Sequence, residues 1–336
     1  MINRLLTVAT NKIHSMPVLV LMPHSRCNCR CVMCDIWKAN HEKKEISAEV
    51  LARHIETFKK LGVRRVALSG GEALMHSNLW KLCEQFHAIG AKISLLSTGL
   101  LLGAHAREMV KYCDDVVVSL DGSREVHNTI RNIPSAFEKL EQGVTVLKGI
   151  AKQFPVTGRC VLQKLNFRDF PNIVRAAKQL GLDQVSFLAA DVSSSAFNHG
   201  SDWQTEKGNE IALTLEDADE FERIIELSFI DFREEYKHRF IAEGANKMLR
   251  LVQYYRAIRG HAAFPGQQCN APWVSAVVES NGDVMPCFFH KPYGNIFDAS
   301  FEEIINSERA VSFRKKLDVK KDEICKKCVC SLYLSA

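Results

Sequence analysis

Four cysteines, Cys27, Cys29, Cys31 and Cys34, fall within one short stretch of a 336-residue chain. Three of them, Cys27, Cys31 and Cys34, have the spacing C-x3-C-x2-C. Three thiolates on one loop can wrap a cubane iron–sulfur cluster. A cubane has four irons, so three protein ligands leave one iron open. An open coordination position marks a catalytic metal rather than a structural one. A structural zinc knuckle on all four thiols is the competing reading. Zinc ligands usually come as two close pairs far apart in sequence, so four on a single loop make an awkward cage. Cys29 lies outside the spacing and reads as a bystander.

A second group, Cys269, Cys287, Cys325, Cys328 and Cys330, occupies the last part of the chain. Cys325 and Cys328 form a C-x2-C knuckle. Asn281-Gly282 reads as a hairpin turn feeding a short strand that ends on Cys287. By spacing alone, a four-cysteine zinc ribbon competes here on equal terms with an iron–sulfur cluster. Cys83, Cys113 and Cys160 stand alone and read as small buried apolar side chains.

These residues need elements to hold them. Val18–His24, Arg65–Gly71, Lys92–Gly99, Asp115–Gly122, Val156–Asn166 and Gln184–Asp191 read as strands, short and apolar or β-branched. Helical patterns lie between them, at Ala48–Leu61, Asn78–Ile89, Ala104–Tyr112, Ser135–Lys152 and Phe170–Leu180. Strands alternating with helices mean a parallel sheet with right-handed crossovers. Six regular units give a partial barrel, and a doubly wound sheet is the alternative. In both, chemistry belongs at the carboxyl ends of the strands. Residues 192–214 read as a long polar loop. Asp191, His199 and Trp203 lie at or in it, where substrates meet barrels. Helices follow over about 216–234 and 245–258. The composition predicts an N-terminal segment over 1–17, a barrel with connecting helices over 18–255 and a small cysteine-bearing domain over 256–336.

Lys plus Arg is 44 and Asp plus Glu is 39, a balance of +5. That is too mild to argue for nucleic acid or a membrane surface. With seven cluster thiolates counted, the balance falls to about +2. No signal core or membrane span is visible, so a cytoplasmic protein with reduced thiols is expected.

The C-x3-C-x2-C loop after the first strand resembles the signature of the radical S-adenosylmethionine (SAM) superfamily. Ser69-Gly70-Gly71-Glu72 resembles its G-G-E motif. The resemblance implies that Gly70 and Gly71 allow close backbone approach and that Glu72 meets the methionyl ammonium. Met33 matches the apolar position beside the adenine. Ser97 and Thr98 resemble the ribose-contacting position. Ser119 and Arg131 resemble the pair that holds the methionyl carboxylate. The C-terminal pattern C-x12-G-x4-C resembles the SPASM and twitch extensions. Only Cys330 and seven other residues follow the knuckle, so one auxiliary [4Fe-4S] cluster is the natural count. The implied ligands are Cys269, Cys287, Cys325 and Cys328, with Cys330 able to replace one of them.

The resemblance therefore implies a partial (β/α)6 barrel of the radical SAM type with a small twitch- or SPASM-like domain. It implies an oxidoreductase or tailoring enzyme with two [4Fe-4S] clusters and SAM, reduced by a flavodoxin or ferredoxin. SAM would be cleaved to methionine and a 5′-deoxyadenosyl radical that takes hydrogen from a small organic substrate, in natural-product or cofactor biosynthesis. The expected outcome is oxidation or rearrangement, with epimerisation as the alternative. A peptide substrate is the competing class. Only 26 residues precede Cys27, so a separate leader-binding domain ahead of the barrel is not expected. A non-catalytic iron–sulfur or zinc protein is the third reading.

Overall fold

The computed structural model describes residues 2–335. Its frame is a curved sheet of nine strands among the described residues. Six of them, β1 (Val18–Leu21), β2 (Arg65–Leu68), β3 (Lys92–Ser97), β4 (Asp115–Ser119), β5 (Val156–Leu162) and β6 (Gln184–Ala189), pair in parallel in sequence order. β1 does not return to β6, so the barrel stays open. The other side of β1 is taken by β7 (Ser275–Val278), again in parallel. The antiparallel strands β8 (Asp283–Met285) and β9 (Gly294–Asn295) follow. The sheet thus runs across residue 256 without a break.

The two faces of the parallel strands differ. Leu19, Val66, Leu95, Val116, Val118, Cys160 and Phe187 are fully buried under helices. The alternate residues Val20, Ala67, Leu96, Val117, Arg159, Val161 and Leu188 are only half-buried. Period-two alternation sends these two sets to opposite sides. One face is sealed and the concave one is left partly open.

The covering helices begin where the apolar periodicity does. They are α4 (Leu79–Ala88), α5 (Leu102–Tyr112), α7 (Ala136–Ile150) and α8 (Phe170–Gln179). The stretch expected as one helix over 48–61 is two, Ala48–Ala52 and Ile55–Lys60, broken at Arg53-His54. A helix of 17 residues, α10 (Leu215–Asp231), starts on a Thr214–Asp217 capping box. α12 (Ala245–Ile258) packs against β6. Its Tyr255 hydroxyl donates to the Leu162 carbonyl and accepts from the Ala190 N–H. The free edge of β6 is covered by the chain just before this helix: the Val185 N–H donates to the Phe240 carbonyl, the Val185 carbonyl accepts the Ala242 N–H, and the Phe187 N–H donates to the Glu243 carboxylate, which spares the edge from pairing with another chain.

The segment before β1 docks far along the chain. The Ile13 backbone and the Asn306 side-chain amide exchange two hydrogen bonds of 2.7 and 3.1 Å. The Arg314 guanidinium donates to the Asn11 carbonyl at 2.7 Å.

A pair of cysteine loops at the mouth of the barrel

The first cysteine loop is held from three sides. From below, the Glu72 N–H donates to the Arg26 carbonyl at 2.8 Å. The approach is so close that a Cβ on Gly71 would stand 2.1 Å from the Arg26 oxygen. Gly70 has φ +110°, a backbone that L side chains rarely adopt. The two glycines are therefore required by the contact between the β2 turn and the loop. From the side, the C-terminal turn of α6 (Arg124–Arg131) accepts the N–H of Arg30 and of Val32 at its Arg131 and Ile130 carbonyls. At the base, the Asn40 amide exchanges hydrogen bonds of 3.0 and 2.8 Å with the Cys27 backbone.

The carboxylate of Glu72 is fully buried. It accepts from the Thr98 N–H and hydroxyl at 2.6 Å each, from the Ser97 hydroxyl at 3.1 Å and from the Leu74 N–H at 3.1 Å. Burial pushes its pKa up and these donors pull against that. Glu72, Ser97 and Thr98, separate expectations in sequence, thus form one cluster. Ser119 ends β4 and stands in register beside Arg159 of β5. Met33 is buried.

Arg131 is also buried, 6% exposed. It does not reach into open space. One nitrogen donates to the Cys31 sulfur at 3.4 Å and another pairs with the fully buried Asp121 carboxylate. Cys29, two residues from Cys31, is buried as well. Its thiol and the Arg131 guanidinium lower the Cys31 pKa, while burial raises those of Cys27 and Cys34.

The polar loop after β6 is ordered by a residue that sequence reasoning passed over. Asp35, next to Cys34, is buried. Its carboxylate accepts from the Lys207 ammonium at 2.5 Å, the Trp203 indole N–H at 2.7 Å and Lys38 at 2.9 Å. Its N–H donates to the Phe197 carbonyl at 3.0 Å. Trp203, expected where substrates bind, is instead 1% exposed and stacks on His199. Asp191 caps its own turn by accepting from Ser193 and Ser194. The available signal was an acidic residue directly after the last cysteine of the loop, with a Lys and a Trp far downstream.

The second group converges as expected. Cys269, Cys287, Cys325, Cys328 and Cys330 line one cleft, walled by Ala271, Pro272, Phe289, Leu317 and Ile324. The Cys330 N–H donates to the Cys328 sulfur at 3.4 Å. His290 is buried, with Nε2 3.4 Å from the Cys325 sulfur and 3.7 Å from Asp322. Cys83, Cys113 and Cys160 are buried behind the sheet.

Soft thiolates gathered in threes and fours on largely apolar walls fit iron–sulfur clusters. Comparison with known proteins bears this out. Residues 21–177 match the radical SAM superfamily, and residues 269–329 match the SPASM iron–sulfur cluster-binding domain. The chain belongs to the radical SAM superfamily and carries a SPASM domain. It is an enzyme whose cofactors are SAM and [4Fe-4S] clusters.

Among individual relatives, it is 25% identical over 291 residues to the antilisterial bacteriocin subtilosin biosynthesis protein AlbA of Bacillus subtilis. That match covers 84% of this chain and 58% of AlbA, so the chain spans little more than half of that relative. It is 26% identical over 319 residues to an AdoMet-dependent heme synthase of Methanosarcina barkeri, covering 90% of this chain and 84% of the synthase. SuiB of Streptococcus suis, solved with S-adenosylmethionine, superposes with a TM-score of 0.68 at 15% identity, over 98% of this chain and 76% of SuiB. That likeness is one of fold. No helix among the described residues is long and apolar enough to cross a membrane.

Proposed function

We propose that this enzyme oxidises a small organic substrate bound against the concave face of the sheet, between the two cysteine sites. Cys27, Cys31 and Cys34 would hold the cluster that meets SAM. Cys269, Cys287, Cys325 and Cys328 would hold the second. The cofactors supply reductive cleavage of SAM and a nearby electron acceptor. The chain's own groups do the rest. Gly70 and Gly71 let the β2 turn approach the loop. Glu72, Ser97, Thr98 and Ser119 present polar atoms at the strand ends to SAM, and Met33 gives the adenine an apolar contact. Val117, Val161 and Leu188 offer the substrate an apolar wall.

One observation carries this reading. Phe197 joins the two sites: its carbonyl accepts the N–H of Asp35, next to Cys34, and its ring lies 6.5 Å from that of Phe289 in the second cleft. A substrate held beside this wall is within reach of both. With all its irons bound by thiolates, the second cluster could accept an electron but not ligate the substrate. A flavodoxin or ferredoxin is the proposed source of the priming electron.

A peptide substrate is the second reading, favoured by the alignment with AlbA over 84% of the chain. The test is turnover in deuterated water with candidate small molecules and peptides. Oxidation gives a product lighter by two hydrogens and free of solvent deuterium. A product of unchanged mass apart from one solvent deuterium would replace oxidation with epimerisation.

A further inference from the structure

The motif resemblance assigns Arg131 to the methionyl carboxylate of SAM. The structure spends that guanidinium elsewhere. Nη1 donates to the Cys31 sulfur at 3.4 Å, and Nη2 pairs with Asp121, whose carboxylate has no exposure to solvent. Asp121 is itself fixed: its Oδ1 accepts the Val161 N–H at 2.9 Å, and its own N–H donates to the His127 ring at 3.1 Å. His127 is buried and held neutral, its pKa pushed down to about 3 by burial and by Arg131. It adds no charge. The fork of Arg131 is planar and rigid, so its position is set once Asp121 is set.

We propose that Arg131 is a positioning residue that donates a hydrogen bond to one cluster ligand, Cys31, and raises the reduction potential of the SAM-binding cluster, with Asp121 as the counter-ion that limits the rise. Hydrogen bonds to ligand sulfurs, and net charge close to a cluster, both set its potential. A donor drains electron density from the thiolate and stabilises the reduced, more negative state. A buried carboxylate opposes this. Asp121 thus has the opposite effect from its own partner.

This inference rests on the reading of Cys31 as a cluster ligand, and the experiment separates the two. The reconstituted holoenzyme is titrated anaerobically against redox mediators without SAM, and the reduced SAM-binding cluster is read by electron paramagnetic resonance. SAM affinity is measured on the same samples by equilibrium binding. Arg131→Met alone strands a buried carboxylate and could fail to fold. The charge-neutral double variant R131M/D121N avoids that. Asp121→Asn should raise the potential. R131M/D121N should lower it. Each change should move the reduced-to-oxidised ratio at a fixed poise by roughly tenfold. SAM should bind the double variant within roughly threefold of wild type.

Coincident potentials, together with SAM affinity lost in R131M/D121N, would overturn the proposal and return Arg131 to the methionyl carboxylate. Full iron in Cys31→Ala would overturn the ligand reading itself, and this inference with it.

Discussion

The two cysteine sites are built in opposite ways. The first lies on a loop whose position is over-determined: the β2 turn presses on it from below, the end of α6 holds it at the side, and Asp35 ties it to the loop after β6. The second is assembled from four short pieces of chain, with Cys269, Cys287, the Cys325–Cys328 knuckle and Cys330 brought together only by the last strands and the C-terminal tail. Three matched thiols against five available ones is the chemical side of the same contrast. Three leave an iron free to bind SAM, and that reaction needs a fixed geometry. Four close the cluster, and electron transfer asks for proximity and a suitable potential rather than an open site.

The contrast breaks first on the ligands. Cys31→Ala should abolish 5′-deoxyadenosine formation and remove roughly four irons. Cys287→Ala should remove a similar number yet leave reductive cleavage of SAM measurable. Iron counting and chromatography of the nucleoside decide it, and loss of cleavage in both variants would erase the division of labour.

The glycines sharpen it. A Cβ on Gly71 would collide with the Arg26 backbone, which cannot give way without moving the first loop. Gly71→Ala should cost about 3 kcal/mol or more and lose the first cluster. Gly282, at φ +89°, would place a Cβ 2.4 Å from the Asn295 side chain and 2.5 Å from the Phe297 ring, which is half exposed and can move. Gly282→Ala should cost about 1–2 kcal/mol from its left-handed backbone and keep both clusters. Thermal unfolding of the iron-loaded proteins reads the difference.

Smaller effects follow. Glu72→Gln should weaken SAM binding by about 1.5–3 kcal/mol, because a buried carboxylate with four donors is replaced by an amide, and the second cluster should be untouched. Trp203→Phe removes the hydrogen bond to Asp35 and shrinks the ring that stacks on His199. It should cost about 1–2 kcal/mol and loosen residues 192–211, visible as faster amide exchange there.

Much of this was legible in the sequence. All six barrel strands begin where the alternation does, at Val18, Arg65, Lys92, Asp115, Val156 and Gln184. They end two to four residues earlier than expected, and after β2 the Ser69-Gly70-Gly71 turn leaves the ladder to meet the cysteine loop. The C-x3-C-x2-C and C-x12-G-x4-C patterns pointed to both thiol sites because cluster ligands recur at short fixed spacings. What escaped was non-local. Nothing in Ser275–Val278 says that it pairs with β1 more than 250 residues away. The Asp121–Arg131 pair and the Asp35–Trp203 hydrogen bond join segments whose separation carries no pattern. The polar run 192–214 reads as an open loop, yet three buried donors and acceptors fold it into short helical turns with Trp203 inside.

The central claim is that only one of two clusters meets SAM. It is tested most directly by electron paramagnetic resonance of the reduced, iron-loaded wild type, Cys31→Ala and Cys287→Ala proteins, each with and without SAM. The account predicts two signals in the wild type. The one missing from Cys31→Ala shifts when SAM is added, and the one missing from Cys287→Ala does not. A SAM-induced shift of the signal that survives in Cys31→Ala would contradict it.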